Sequence, residues 1–395
     1  MNDGKMTEGI IYMDHAATAP AYPEVTAEIT KWFSGWYGNA SSTLYSVGRK
    51  SEEGVARARA QVAALLKTSD REIFFTSGGT ESDNWAVHGA AIANRKKGNR
   101  IITSAVEHHA VLECVQYMGR QGFDVTVLPV DQYGMVDPAK VREALTDDTI
   151  LVSIMHANNE VGTINPIVEI GAICAERGVL FHTDAVQTVG KIPIDLSAVH
   201  VDLLSGSSHK FGGPKGCGFL YARKGAKVDP YFHGGGQERG KRSGTMNVPG
   251  IVGTGLACEI AGSHMAQEAA RLSAMRDELQ KGILERIPDV KMNGHPEKRL
   301  AGHLNVCVEG VEGESMVMCL DMNRVCVSSG SACTTGSLEP SHVLLAMGIP
   351  VELSHGSLRF TLGSANTPEQ IPYVLDRLTT IVGKLRAMSP TYRKR

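Results

Sequence analysis

Residues 178–210 read GVLFHTDAVQTVGKIPIDLSAVHVDLLSGSSHK. They hold two short, nearly continuous apolar runs, GVLFHTD (178–184) and VDLLSGS (201–207). The first ends on Asp184, and Lys210 lies just past the end of the second. Apolar residues that run on without alternating mark a strand buried on both faces, as in a parallel sheet. The same text recurs upstream in EIFFTS (72–77), RIITSA (100–105), DVTVLPV (124–130) and TILVSIM (149–155). Segments of helical length, such as 108–122 and 166–177, separate most of these runs. The alternation predicts an α/β domain with a mostly parallel sheet flanked by helices, its functional groups gathered at the carboxyl edge of the strands.

Downstream of the glycine-rich HGGGQERGKRSGT (233–245) the composition changes. A long helical stretch over 248–286 leads to fewer, more separated strands, HLNVCVE, RVCVSS and SLRFTLG. A final helix is marked by Pro368 near its start and by Ile371, Val374, Leu375, Leu378, Ile381, Val382 and Leu385 at helical spacing. The expected organisation is an N-terminal segment (1–20) packed near a small domain, a large domain (21–262), and a smaller α+β C-terminal domain (263–395).

Bulk properties exclude several classes. With 395 residues, 42% of them hydrophobic, the chain has material for a large core. A formal net charge of -2 gives no footprint for nucleic acid or a membrane surface, and Arg393-Lys394-Arg395 reads as a solvated tail. The start, MNDGKMTEGIIYMDH, lacks the apolar core of a signal peptide, and no run approaches the roughly 20 apolar residues of a membrane span. A soluble cytoplasmic protein is the expectation. Eight cysteines are scattered, mostly inside apolar runs, and none forms CxxC, so reduced thiols are expected and no metal site. Cys333 alone has Ser, Gly and Thr neighbours.

Three elements at strand ends suggest chemistry. In SSHKFGGPKG (207–216), Lys210 stands between a histidine and a Gly-Gly-Pro turn, with Ser207, Ser208 and His209 as polar donors. In TSGGTESDN (76–84), Gly78 and Gly79 expose backbone N–H groups, Thr80 adds a hydroxyl, and a helix N-terminus favours an anion. In FHTDAVQ (181–187), Asp184 offers a carboxylate that could keep a pyridine nitrogen protonated. Each has a plain alternative: a surface lysine, a Gly-Gly turn, a helix cap. Together a lysine, a phosphate cradle and an acid make a pyridoxal 5'-phosphate (PLP) site the economical reading.

From IYMDHAATAPAYPEV through GNASS, FTSGGTESDN, EHHAVL, MHANNEVGTINP, FHTDAVQ, SSHKFGGPKG, GGGQERGKRSGT and SSGSACTTGSLEPSHVLLAMG to SLRFTLG, the chain resembles the group I cysteine desulfurases, the NifS/IscS type of fold-type I PLP enzyme. The lysine segment points only to the superfamily, whereas SSGSACTTGSLEPSHVL is far more specific. The resemblance implies that Lys210 binds PLP covalently, Asp184 pairs with its pyridine nitrogen and Gln187 bonds its phenolic oxygen. His108, rather than His109, would stack on the ring and assist proton transfer. Gly79, Thr80, Ser207 and His209 would hold the phosphate, with Thr245 reaching over from a partner subunit of a homodimer. Asn159 would contact the ring oxygen or the substrate carboxylate. Arg359 would grip that carboxylate, as a planar guanidinium can, although on its own it reads more readily as a structural ion-pair partner. Three positions depart from the commoner family text: Ala19, Gly206 and Cys217.

Cys333 lies in SSGSACTTGSLEPS (328–341), a loop with little apolar surface to bury and therefore expected to be mobile. A thiol there could take sulfur at the cofactor and carry it outward as a persulfide. The implied reaction converts L-cysteine to L-alanine and passes the sulfur to acceptor proteins such as an iron–sulfur scaffold or a tRNA-thiolation factor. A selenocysteine lyase, an aminotransferase of the same fold and a non-catalytic sulfur-assembly scaffold are the rival readings.

Overall fold

The computed structural model describes residues 9–329, 340–389 and 392. The chain opens with β1 (Ile11–Tyr12). The large sheet comprises β2 (Ile73–Thr76), β3 (Arg100–Ser104), β4 (Asp124–Leu128), β5 (Thr149–Ser153), β6 (Leu180–Asp184), β7 (Leu203–Ser207) and β8 (Gly218–Ala222). Its order is β2-β8-β7-β6-β5-β3-β4, and β8 alone runs against its neighbours. β5 and β7 are buried at every position, as continuous apolar runs require.

Helices cover the sheet. Gly79–Asn94 lies across β5, β6, β7 and β8. On the other side, Ser46–Leu66 packs against the 39-residue helix Val248–Arg286. A Cβ at Gly255 would come within 2.5 Å of Ala58 Cα, so only glycine permits that approach. The glycine-rich segment ahead of the long helix turns through left-handed backbone at Glu238 (φ 46°) and Arg239 (φ 57°). Buried Glu238 holds the turn in place, receiving Arg59 on both carboxylate oxygens at 2.7 Å.

The long helix belongs to both halves of the molecule. Its start (Ile251, Val252, Ala257, Cys258) joins the apolar cluster under the large sheet. Its end (Met275, Leu279, Ile283) joins a second cluster with Leu304, Val306, Leu358 and Phe360. That cluster lies under a three-stranded antiparallel sheet of β9 (Val290–Asn293), β10 (His303–Val308) and, after β11 (Val325–Cys326), β12 (Ser357–Thr361), in the order β12-β10-β9. β1 pairs in parallel with β11, and Met13 is fully buried in the second cluster. Among the described residues no helix is long and apolar enough to cross a membrane.

Candidate active site

The carboxyl ends of β2, β3, β5, β6 and β7 point to one side, where the chain turns from strand to helix or loop. After β2 the turn is tight. An added Cβ at Gly218 would lie 2.7 Å from Gly78 Cα, and one at Gly79 would lie 2.7 Å from Val186 Cγ2. No side chain fits, so the first N–H groups of helix Gly79–Asn94 face an open space at close range. Glu81 in that first turn does not compete for the space. It accepts Arg242 on both oxygens at 2.7 and 2.9 Å and the Ser77 N–H at 2.8 Å.

Asp184 ends β6, and its Oδ1 accepts the Val186 N–H at 2.8 Å. Burial pushes its carboxyl up. Beneath it runs a polar chain within the sheet: Ser153 Oγ meets His182 Nδ1 at 2.8 Å, and His182 Nε2 meets Ser205 Oγ at 3.0 Å. Ser205 in turn bonds the carboxyl of Asp83, from the helix above. Among the described residues Asp83 Oδ1 has no hydrogen-bond partner, though the residue is 1% exposed. Burial, then the Asp184 carboxyl, drives Asp83 up, because two carboxylates this close cannot both stay charged.

Lys210 closes a short 3₁₀ segment after β7. Its Nζ donates to the carbonyls of Ala16 (2.6 Å) and Ala17 (2.8 Å). Gln187 Nε2 donates to the same Ala16 carbonyl at 2.9 Å. His209 Nδ1 meets Thr18 Oγ1 at 3.1 Å, while Ala19 contributes its backbone N–H to the His209 carbonyl at 2.8 Å. Thr18 therefore supplies the hydroxyl contact with His209. Gly206 is explained by Phe219, whose ring would lie 2.3 Å from an added Cβ. Cys217 is simply buried.

His108 caps the helix His109–Arg120, its Nδ1 accepting the Ala110 N–H at 3.1 Å. A neutral ring then carries its proton on Nε2. Burial, helped by the Lys210 charge, lowers its pKa to about 4. Buried Glu107 fixes the turn by accepting the Met155 N–H and the Ser104 hydroxyl. His109 faces away, its ring centroid 4.6 Å from that of His342. From the small sheet, Arg359 donates through Nη1 to the Asn159 carbonyl (3.0 Å) and through Nη2 to Asp14 Oδ1 (2.8 Å). Its Nε, buried, has no partner among the described residues.

These groups line one cavity of about 280 Å³. Gly79, Thr80, Ser207 and His209 border it on one side, and Asp184, Gln187 and Lys210 lie in its wall. His108, Asn159 and Arg359 complete the lining. Thr245, expected to act from a partner subunit, is exposed and does not line the cavity of its own chain. Cys333 lies outside the described residues. Asp83 and the Ala16 and Ala17 carbonyls escape the sequence reading; the only trace of Asp83 is its place one helical turn after Gly79. PLP fits the residues present. A cradle that glycine alone permits suits a phosphate, a buried acid suits a pyridine nitrogen, a primary amine suits the aldehyde, and the unpartnered Arg359 Nε suits an amino-acid carboxylate.

Residues 11–374 match the family described as aminotransferase class-V. The cysteine desulfurase IscS of Methanosarcina thermophila is 53% identical over 380 residues, 96% of this chain and 94% of that protein. The cysteine desulfurase IscS of Clostridium botulinum is 51% identical, with 97% and 96% covered. A solved NifS-like protein superposes with a TM-score of 0.89 at 38% identity, covering 95% of this chain and all of that one. A lysine, a buried acid and a phosphate cradle at the strand ends, on this fold and with these relatives, place the chain in the aminotransferase class-V family of PLP enzymes, within its NifS/IscS group.

Proposed function

We propose that this protein is a PLP-dependent cysteine desulfurase that converts L-cysteine to L-alanine and carries the sulfur as a persulfide on Cys333. The observation that carries the reading is the single cavity in which Lys210, Asp184 and Arg359 meet. Relatives named cysteine desulfurase IscS, half identical along nearly the whole chain, support it. Bound there, PLP supplies an electron sink for the charge left when a proton leaves the substrate Cα. Gly79, Thr80, Ser207 and His209 hold its phosphate. Asp184 would keep a proton on its pyridine nitrogen, Gln187 would bond its ring oxygen, and Asn159 would contact that oxygen or the substrate carboxylate.

The chain's own groups do the rest. Arg359 orients the substrate carboxylate, since its Nε is unpaired and its two other nitrogens are fixed by Asp14 and the Asn159 carbonyl. The Lys210 amine takes the Cα proton, and neutral His108 presents an Nε2–H beside it. The Cys333 thiolate attacks the substrate sulfur. A sulfur–sulfur bond forms, the Cβ–S bond breaks with its electron pair left on carbon, and protonation at Cβ with return of the Lys210 proton to Cα yields L-alanine.

The same proposal includes a homodimer whose partner copy supplies Thr245. Phe33, Tyr37, Leu44 and Tyr45 are each more than half exposed, and a second copy would cover such apolar side chains. It also includes the division at 21–262 and 263–395, supported by the two separate apolar clusters. The sulfur is proposed to pass to an iron–sulfur scaffold or a tRNA-thiolation factor. A cytoplasmic location is in keeping with seven free thiols among the described residues.

The test is alanine and protein-bound persulfide formed from L-cysteine by wild type and Cys333→Ala in parallel. Wild type is expected to yield both, and the variant to lose the persulfide. PLP-loaded wild type that releases no alanine would sink the desulfurase reading.

A further inference from the structure

Behind Lys210 lies a second, smaller cavity of about 100 Å³, lined by Lys191, His15, His303 and Lys210 itself. Lys191 follows Gln187 by one helical turn's spacing, and its Nζ donates to Gln187 Oε1 at 3.2 Å. The Lys191 ammonium can only donate, so the atom it holds is the amide oxygen. The Gln187 NH₂ is thereby turned to the Ala16 carbonyl (2.9 Å), which also receives Lys210 Nζ (2.6 Å). Lys191, Gln187, Ala16 and Lys210 form one continuous chain of hydrogen bonds from the rear cavity to the front one.

Extending the PLP reading above, we propose that Lys191 is a positioning residue: by holding Gln187 Oε1 it presents the Gln187 NH₂, never its oxygen, to the phenolic oxygen of the cofactor. An N–H facing that oxygen stabilises its ionised form; a carbonyl facing it would do the opposite. Among the described residues the one side-chain hydrogen bond that Lys191 makes is the one to Gln187 Oε1. Lys210 and Arg359 nearby are fellow cations, and burial lowers the pKa of His15, His303 and His209. Of the nearby carboxylates, Asp14 is committed to Arg359, Glu268 to Arg271, and Asp184 to the Val186 N–H. Burial, then Lys210 and Arg359, lowers Lys191 to about 7, and it remains a donor in either charge state.

The test is a pH titration of the PLP absorbance band in the holoenzyme, with thermal melting and alanine release recorded alongside. Lys191→Met removes the donor, frees the amide to turn over, and is expected to raise the spectral midpoint by about one pH unit. In a Gln187→Leu background the same substitution should move the midpoint no further. Lys191→Arg keeps a donor-only side chain and covers the case in which the methionine variant does not fold; its midpoint should match wild type. An unmoved midpoint in Lys191→Met with only a lower melting temperature overturns the proposal. So does an undiminished shift in the Gln187→Leu background, or a shifted midpoint in Lys191→Arg. Wild type that takes up no PLP overturns this inference and the functional reading together. Wild type that binds PLP but releases no alanine fails only the latter.

Discussion

One wall of the large cavity is a row of strand ends from the seven-stranded sheet, with Asp184, Ser207 and Lys210 each on or just after a buried strand. The facing wall has no such regularity. Arg359 comes from β12 of the small sheet, and Asp14, Ala16 and Ala17 come from a turn that follows β1 near the start of the chain. The first wall is held by the sheet's own ladder and by the Ser153–His182–Ser205–Asp83 chain inside it. The second is held across 345 residues of sequence by the Asp14–Arg359 pair and by the Asp14↔Thr361 bridge. Strand ends carry the reacting groups at fixed places. On the proposed reading long-range pairs decide how the substrate is gripped, and they depend on a few bonds each.

Breaking the first wall should cost most. Lys210→Ala removes the amine that moves the Cα proton, and turnover is expected to fall by about 10³-fold or more. Measurable alanine release at more than a tenth of the wild-type rate would show that the chemistry is not seated on the strand ends.

The second wall should fail by degrees. Arg359→Leu deletes the carboxylate grip and is expected to raise KM for L-cysteine by about 100-fold, the value of one or two charge-assisted hydrogen bonds. Asp14→Asn leaves the arginine in place but removes the charge that aims it. An increase of about 3–10-fold is expected, with kcat little changed. Equal effects from the two variants would mean that Asp14 contacts substrate directly and that the wall is one unit rather than a grip and its support.

The same contrast explains what the sequence discloses. Continuous apolar runs locate β2 to β7 within a residue or two; burial on both faces dictates composition in β3, β5, β6 and β7, whereas edge strand β4 is marked by its β-branched residues although it is largely exposed. GFLYA (218–222) goes unread as a strand: it is five residues long and hidden behind the glycine-rich lead-in FGGPKGCG, yet it forms β8 and reverses the sheet's direction. Lys210, Asp184 and Gln187 are legible because they sit on strand-end motifs. Asp83 is not, since a charged residue within a polar stretch reads as solvent-facing until tertiary packing buries it; Lys191 is not either, since nothing in TVGKIPI (188–194) marks a lysine as a partner of Gln187. The roles of the Ala16 and Ala17 carbonyls cannot be read from side chains at all, because the backbone supplies the contact.

The smallest effect expected is a slope, and it asks whether the half-buried lysine behind Lys210 belongs to the rigid wall. Lys191 sits at about 7 in the folded protein and near 10.5 unfolded. Between those values the unfolded chain binds the extra proton, so stability rises with pH, by at most ~1.4 kcal/mol per unit for one proton. The cost of burying the charge is fully present below pH 7 and is relieved as pH climbs toward 10. Urea unfolding of the apoprotein should therefore show wild type gaining on Lys191→Met across that window, with the gap between them widest at and below neutrality. Parallel curves would mean that Lys191 keeps its proton in the fold. The hydrogen bond to Gln187 would then be made by a permanent ammonium, and the rear cavity would have to supply a counter-charge in solution.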